Sequence, residues 1–337
     1  MKVGIIGAGL QGRRRAQALK EAGDKLVIVA DTQVERAKLL AKAMGCQATD
    51  NWESVATRDG IETVVVCTPP HLHESMCTPA LKSGKHVLCE KPLAQTTEDA
   101  QSMVDSAQEN GVKLKCGFNH RHHPGIVQAR KWFDGGVIGE LSFIRCRYGI
   151  CGRDGYEKEW RMNADISGGG ELMDQGMHVI DLCRWFMGEF NQVLGFTANS
   201  FWDTAPVEDN AFALLRTEIG QIASFHVSWT QWKNLFSFEL LGKDGYVVVE
   251  GLGGSYGTER AVLGRRVPLK PFREEATEFR SEDRSWYEEW KEFTSAIKNN
   301  REPLGGGRDG LEALKLAQTI YRSAAKAVDC SHPREVQ

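Results

Sequence analysis

Val3-Gly4-Ile5-Ile6-Gly7-Ala8-Gly9-Leu10-Gln11-Gly12 decides the fold: a short apolar run passes, through glycines spaced G-x-G-x-x-G, into a helical pattern. Gly7, Gly9 and Gly12 permit a tight turn and close backbone approach, and Leu10 and Gln11 open the helix. A helix start of this kind presents amide donors and a positive dipole end to a pyrophosphate. Alone the turn is a weak signal. It gains weight from Asp31, which ends the apolar run 25–30 and lies 19 residues beyond Gly12. A carboxylate there accepts hydrogen bonds from an adenosine ribose and repels a 2′-phosphate, which selects NAD. Arg13-Arg14-Arg15 keeps NADP as the alternative. That run reads either as a solvated first turn or as a contact to cofactor phosphates, with Arg13 the foremost candidate.

Outward from this turn, strand patterns at 2–7, 25–31, 63–68, 85–90 and 113–119 alternate with helical patterns at 10–22, 34–44, 72–83 and 98–110. The last helix has Thr96 or Thr97 as cap and Gly111 as stop. This alternation predicts a doubly wound parallel sheet, a Rossmann domain spanning 1–120. Beyond it the order changes. A helix at 124–133 and a strand at 141–149 precede a polar, aromatic insertion at 151–167, and a long amphipathic helix follows Gly168-Gly169-Gly170 to about residue 187. Strand patterns at 191–200, 210–217, 221–229, 235–241 and 246–250 follow, with Gly242-Lys243-Asp244-Gly245 as a hairpin turn. Helices at 286–298 and 310–327 finish the chain. Residues 121–337 therefore read as an α+β domain with a large, mostly antiparallel open sheet.

The 337 residues are 41% hydrophobic and 26% charged, with a formal net charge of −3. A near-neutral balance of this kind argues against a dedicated nucleic-acid or membrane-surface binder. Nine cysteines without a C-x-x-C pair fit reduced thiols, and no apolar run approaches a membrane span, so the expected location is the cytoplasm.

Two segments carry chemistry. In Glu90-Lys91-Pro92, at the end of an apolar strand, the proline keeps Lys91 extended, and ligands of open α/β sheets bind beyond the strands' carboxyl ends. In the helix after Gly168-Gly169-Gly170, Asp174, His178 and Asp181 fall at i, i+4 and i+7 on one face, which positions Asp174 and His178 as a pair. Taking hydride from a secondary alcohol requires removing the hydroxyl proton. His178 suits that task near neutrality, Asp174 can orient the imidazole or hold a hydroxyl, and Lys91 can stabilise the oxygen or share the proton. Thr68 and Pro69, in Cys67-Thr68-Pro69-Pro70-His71-Leu72-His73, lie at the same sheet edge. Thr68 is a donor to phosphate or ribose, His73 is placed near the cofactor, and His71 starts a helix. The histidines at 71, 73, 120, 122 and 123 supply no clear three-ligand set, so no metal is expected. Arg153, Tyr156, Lys158, Trp160 and Arg161 in the insertion read either as ring-stacking and anion-binding groups or as packing. Trp229 and Trp232 read as sheet-face or interface residues.

In order and spacing, the Gly7–Gly12 turn, Cys67-Thr68-Pro69-Pro70 with His73, Glu90-Lys91-Pro92, Gly117-Phe118-Asn119-His120-Arg121 and the helix after Gly168 resemble the glucose–fructose oxidoreductase/inositol dehydrogenase/MocA (Gfo/Idh/MocA) family. The resemblance implies a sugar or cyclitol oxidoreductase and a homodimer or homotetramer built through the second sheet, while the aromatic and basic residues of the insertion are consistent with a free sugar, a sugar acid or a nucleotide sugar as substrate. It places Lys91, Asp174 and His178 at the catalytic positions, Glu90, Lys91 and Asn119 beside the cofactor, and Trp160 and Arg161 near cofactor and substrate. It also implies a cis Lys91–Pro92 bond. Some relatives cleave glycosides through transient oxidation and others are non-enzymatic regulators. The presence of both Lys91 and His178 favours the enzyme.

Overall fold

A computed structural model of the chain describes residues 1–270 and 273–326. The first half alternates β1 (Lys2–Ile6), α1 (Leu10–Glu21), β2 (Lys25–Ala30), α2 (Val34–Met44), β3 (Gln47–Thr49), α3 (Glu53–Ala56), β4 (Thr63–Val66), α4 (His73–Lys82), β5 (His86–Cys89), α5 (Thr97–Glu109) and β6 (Leu114–Cys116). Its strands form one parallel sheet in the order β3-β2-β1-β4-β5-β6. Central strands such as Thr63-Val64-Val65-Val66 are buried on both faces, so they read as continuous apolar runs without alternation. Sequence inspection missed β3, because Gln47-Ala48-Thr49 is a short, polar edge with no apolar signal. Thr96 caps α5 by accepting the Asp99 amide.

The second sheet grows from α6 (Pro124–Asp134) and β7 (Leu141–Gly149), a turn-rich segment containing α7 (Ala164–Ser167), and α8 (Met177–Met187). Then come β8 (Gln192–Ala198), β9 (Asn210–Arg216), β10 (Ile222–Ser228), β11 (Leu235–Gly242), β12 (Gly245–Glu250), β13 (Glu259–Arg265) and β14 (Arg273–Phe279). The eight strands lie in the order β14-β13-β12-β11-β7-β10-β9-β8, antiparallel except where β10 runs parallel to β7. Residues 242–245 make the expected turn between β11 and β12. Strands β13 and β14 lacked a legible signal; Arg273-Glu274-Glu275-Ala276-Thr277-Glu278-Phe279 is an exposed, charged edge that discourages pairing with another chain. Along β9, Ala211, Ala213 and Leu215 are buried beneath helices while Phe212 and Leu214 lie exposed on the open face.

Two final helices, α9 (Ser285–Lys298) and α10 (Gly307–Ala324), bind the halves together. Trp290 and Phe293 of α9 pack with Val3, Ile5, Leu19 and Val29, inside the first sheet's core. Thus α9 packs back onto the first unit. A buried ionic cluster fixes this return. Arg15 on α1 donates from Nε to Glu90 at 2.7 Å and from a second nitrogen to Glu289 on α9, and Lys115 Nζ lies 3.5 Å from Glu289. Removing one member of a buried ion cluster strands the remaining charge, so Glu289→Ala is expected to lower unfolding free energy by about 3–5 kcal/mol, measured by urea denaturation.

Candidate active site

At the amino end of α1, Gly7 adopts φ +99°, and a Cβ on Gly12 would sit 1.9 Å from the Gly7 carbonyl oxygen. Only glycine lets α1 begin this close to β1. Space beside Gly9 is open, the α1 amides have no side-chain cap, and Gln11 Oε1 is buried without a partner. Asp31 ends β2 with one oxygen accepting the Ala8 amide at 2.8 Å and the other the Gln33 amide at 2.8 Å, locking the glycine turn to the ribose-side residue. Thr68 and Pro69 lie beyond β4, where the Thr68 amide nitrogen abuts Gly7. These residues fit a dinucleotide: an open cradle, free amides and a carboxylate at the far edge.

A cavity of about 760 Å³ runs from Leu10, Gln11 and Arg13 to Lys91, Asn119, Asp174 and His178. At its inner end the Lys91–Pro92 peptide is cis. Lys91 Nζ donates to the Asp174 backbone oxygen at 2.7 Å and to Asp174 Oδ1 at 2.6 Å, joining segments 83 residues apart. Burial alone would raise the Asp174 carboxyl, but Lys91 and Arg161 outweigh it and hold Asp174 below its ordinary value. Arg161 Nε lies 3.6 Å from Asp174 Oδ2, with its guanidinium over the Trp160 ring. Arg161 lines the cavity, whereas Trp160 lines a smaller crevice beside Pro92 and Gly169.

Asp174 and His178 do not form the expected pair. Residues Leu172–Gly176 wind as a π-helix before α8 begins, so the continuous helical face breaks between the two side chains. The π turn is pinned by buried Glu208, which accepts amides of Gly170 at 3.1 Å and Leu172 at 3.0 Å and the Tyr321 hydroxyl at 2.7 Å. Asp174 turns to Lys91, and the third residue of the pattern, Asp181, takes Arg121 through bonds of 2.8 and 2.6 Å. His178 stacks on His120 with centroids 3.8 Å apart.

Two other expected site residues are buried. His73 is wholly buried, with Nδ1 2.9 Å from the Pro92 oxygen and Nε2 2.8 Å from the Thr68 oxygen. It ties the Thr68 loop to the Lys91 loop from behind. Glu90 is likewise buried and committed to Arg15, so it positions its neighbour Lys91 instead of facing the cavity. Asn119 lines the cavity and donates to Ser285 Oγ at 2.9 Å. In the insertion, Tyr156 packs edge-on against buried Trp229 while contributing to the cavity wall; Lys158 and Trp232 are exposed. Among the described residues no group of three or more His, Cys, Asp or Glu side chains is placed to hold a metal. His120, His123, Tyr148, Gln175 and Tyr256 also line the cavity; from sequence, His120 and His123 are weighed only as metal ligands and the other three are passed over. Tyr148 ends a strand and Tyr256 sits in a distant loop, so neither shares a pattern with Lys91; only the adjacency of His120 to Asn119 marked one of them.

With this geometry in view, residues 1–118 match a family model described as "Oxidoreductase family, NAD-binding Rossmann fold", and residues 126–248 match the GFO/IDH/MocA C-terminal domain. The chain belongs to the GFO/IDH/MocA family. It is 32% identical to D-glucoside 3-dehydrogenase of Escherichia coli over 68% of this chain and 70% of that one. It is 28% identical to inositol 2-dehydrogenase of Rhizobium meliloti over 97% of both. Levoglucosan dehydrogenase solved with NADH and levoglucosan superposes with a TM-score of 0.86 at 25% identity, covering 97% of each chain. The protein is thus an oxidoreductase of a family with an NAD-binding Rossmann domain.

Burial pushes the imidazoles of His120, His122 and His178 well below their ordinary value, with neighbouring charges adding to the effect. The folded chain therefore binds fewer protons than the unfolded chain just below the ordinary histidine value of ~6.5. Stability is full above that value and falls as pH drops toward the depressed folded values. A melting temperature that declines between about pH 7 and about pH 5, with a shallower decline in His120→Phe, is the expected calorimetric result.

Proposed function

We propose that the protein moves a hydride between a nicotinamide and a secondary hydroxyl of a sugar or cyclitol, with Lys91, Asp174 and His178 as acid–base and orienting groups. The observation carrying this reading is the Lys91–Asp174 pair, set beside His178 at the inner end of a cavity whose other end is the glycine turn. Bound at Gly7–Gly12, Asp31 and Thr68, NAD would supply the hydride acceptor or donor. Asp31 favours NAD over NADP, since a 2′-phosphate would meet its carboxylate. Lys91 has two hydrogens held by Asp174, which fixes the remaining nitrogen position for a substrate oxygen. Arg161, Tyr148 and Tyr256 give a polar, aromatic wall suited to a hydroxylated ring.

The open sheet face supports a homo-oligomer: Leu194, Phe196, Phe212, Leu214 and Ile222 are exposed together on β8, β9 and β10. A reducing compartment such as the cytoplasm agrees with the eight free cysteines among the described residues.

Screening sugars, cyclitols and nucleotide sugars with NAD and NADP, by nicotinamide absorbance, is expected to give net NADH formation or consumption with NAD preferred. On the substrate so found, Lys91→Ala is expected to lower kcat by ~10²–10⁴ with NAD affinity unchanged; near-normal turnover would refute the assignment. Sedimentation analysis of Leu214→Glu is expected to show a shift toward monomer.

A further inference from the structure

The cavity that holds Lys91 is longer than a reacting ring and the glycine turn require. From Leu10 its lining continues down α1 through Arg14 and Gln17 to Glu21, and Arg284, Trp286 and Tyr287 at the start of α9 form the opposite wall. At 1.5 Å per residue, Glu21 stands about 16 Å along the helix axis from Leu10. A pyrophosphate held by first-turn amides does not extend that far. The other residues that fit the cofactor, Asp31 and Thr68, lie beyond β2 and β4 and do not line this arm. The arm is nonetheless fixed to the reacting end. Arg15 Nε donates to Glu90, the neighbour of Lys91, at 2.7 Å, and Asn119 donates to Ser285 Oγ at 2.9 Å.

Within the arm the charges do not cancel. Glu21 accepts from the Gln17 amide at 2.8 Å and lies 3.8 Å from Arg284, and Asp283 accepts the Ser285 amide at 2.9 Å. On the insertion side Glu159 is paired with Arg153 and, at 3.5 Å, with Arg161. Arg13 and Arg14 have no carboxylate partner among the described residues. Arg13 donates to the Ala8 carbonyl at 3.3 Å, while Arg14 lays its guanidinium over the half-buried Trp286 ring at 4.5 Å. Stacking of this kind orients a guanidinium and leaves its in-plane N–H fork for an oxyanion. We propose that Arg14, with Trp286 as its platform and Arg13 as a second cation, binds a phosphate or carboxylate carried by the sugar or cyclitol whose hydroxyl meets Lys91. The substrate class is then an anionic sugar. A neutral monosaccharide at Lys91 would make no use of either arginine, whereas a ring with an acidic substituent fills both ends of the cavity. Arg14 and Trp286 are specificity-determining residues in this scheme and take no part in hydride transfer.

The identity of the reacting ring rests on the dehydrogenase reading; the anion site does not, and binding is measured apart from turnover. Isothermal titration of the NADH-loaded protein compares glucose and myo-inositol with glucose 6-phosphate, myo-inositol 1-phosphate, glucuronate and UDP-glucose. At least one anionic member is expected to bind ~10-fold or more tightly than the neutral sugar of the same ring. Which member does so distinguishes a terminal phosphate, a carboxylate and a diphosphate diester. In Arg14→Gln, an exposed substitution, the ratio of anionic to neutral affinity is expected to fall by ~10-fold, and added salt is expected to reduce it in the wild-type protein. NADH affinity, read by nicotinamide fluorescence, is expected to hold. Equal binding of neutral and anionic members, or a preference that survives in the Arg13→Gln/Arg14→Gln double variant, would overturn the proposal. A parallel loss of NADH affinity in Arg14→Gln would also overturn it, because the arginine would then serve the cofactor's phosphates. An Arg14-dependent preference without turnover of any sugar would count against the dehydrogenase reading and leave the anion site standing.

Discussion

The ion pair between Lys91 and Asp174 is the constraint around which the molecule is arranged. It crosses from the end of a parallel strand to a π turn of the second unit, and each partner is held by its own buried support. On one side Arg15, Glu289 and Glu90 fix the strand end, while His73 clamps the loop behind it. On the other side Glu208 and Tyr321 hold the start of the π turn. Paired charges that are partly desolvated contribute little net stability on their own, because desolvation offsets attraction. The supports make the geometry rigid, and rigidity is what a reacting oxygen requires.

This arrangement explains why the second unit is not a passive lid. The π turn redirects Asp174 toward Lys91 and leaves His178 on α8 against His120. A regular α-helix would have placed the carboxylate and imidazole four residues apart on one face. One inserted backbone irregularity thus converts an Asp–His pairing into an Asp–Lys pairing. Glu171, at the edge of this turn, is fully buried with both oxygens unpartnered, and burial together with Asp174 pushes its carboxyl well above the ordinary range.

Much of the fold was legible because its signals are local. The glycine turn, the apolar runs of β1, β4 and β5, and the turn between β11 and β12 each follow from a few neighbouring residues. Strands β3, β13 and β14 were not, since polar or charged edges carry no periodic apolar signal. In the site, Lys91, Asp174, His178 and Asp31 announce themselves through motif and spacing. The buried roles of Glu90 and His73 do not: both depend on partners far along the chain or on backbone carbonyls. Tyr148 and Tyr256 reach the cavity through sheet register and loop path, which no short pattern encodes.

The central claim is that Lys91 and Asp174 act as one unit at the reacting hydroxyl. A double-mutant cycle on kcat/KM, comparing Lys91→Met, Asp174→Asn and the double variant, tests it most directly. The account predicts strong non-additivity, with the double variant no slower than the slower single variant. Effects that multiply independently would contradict it.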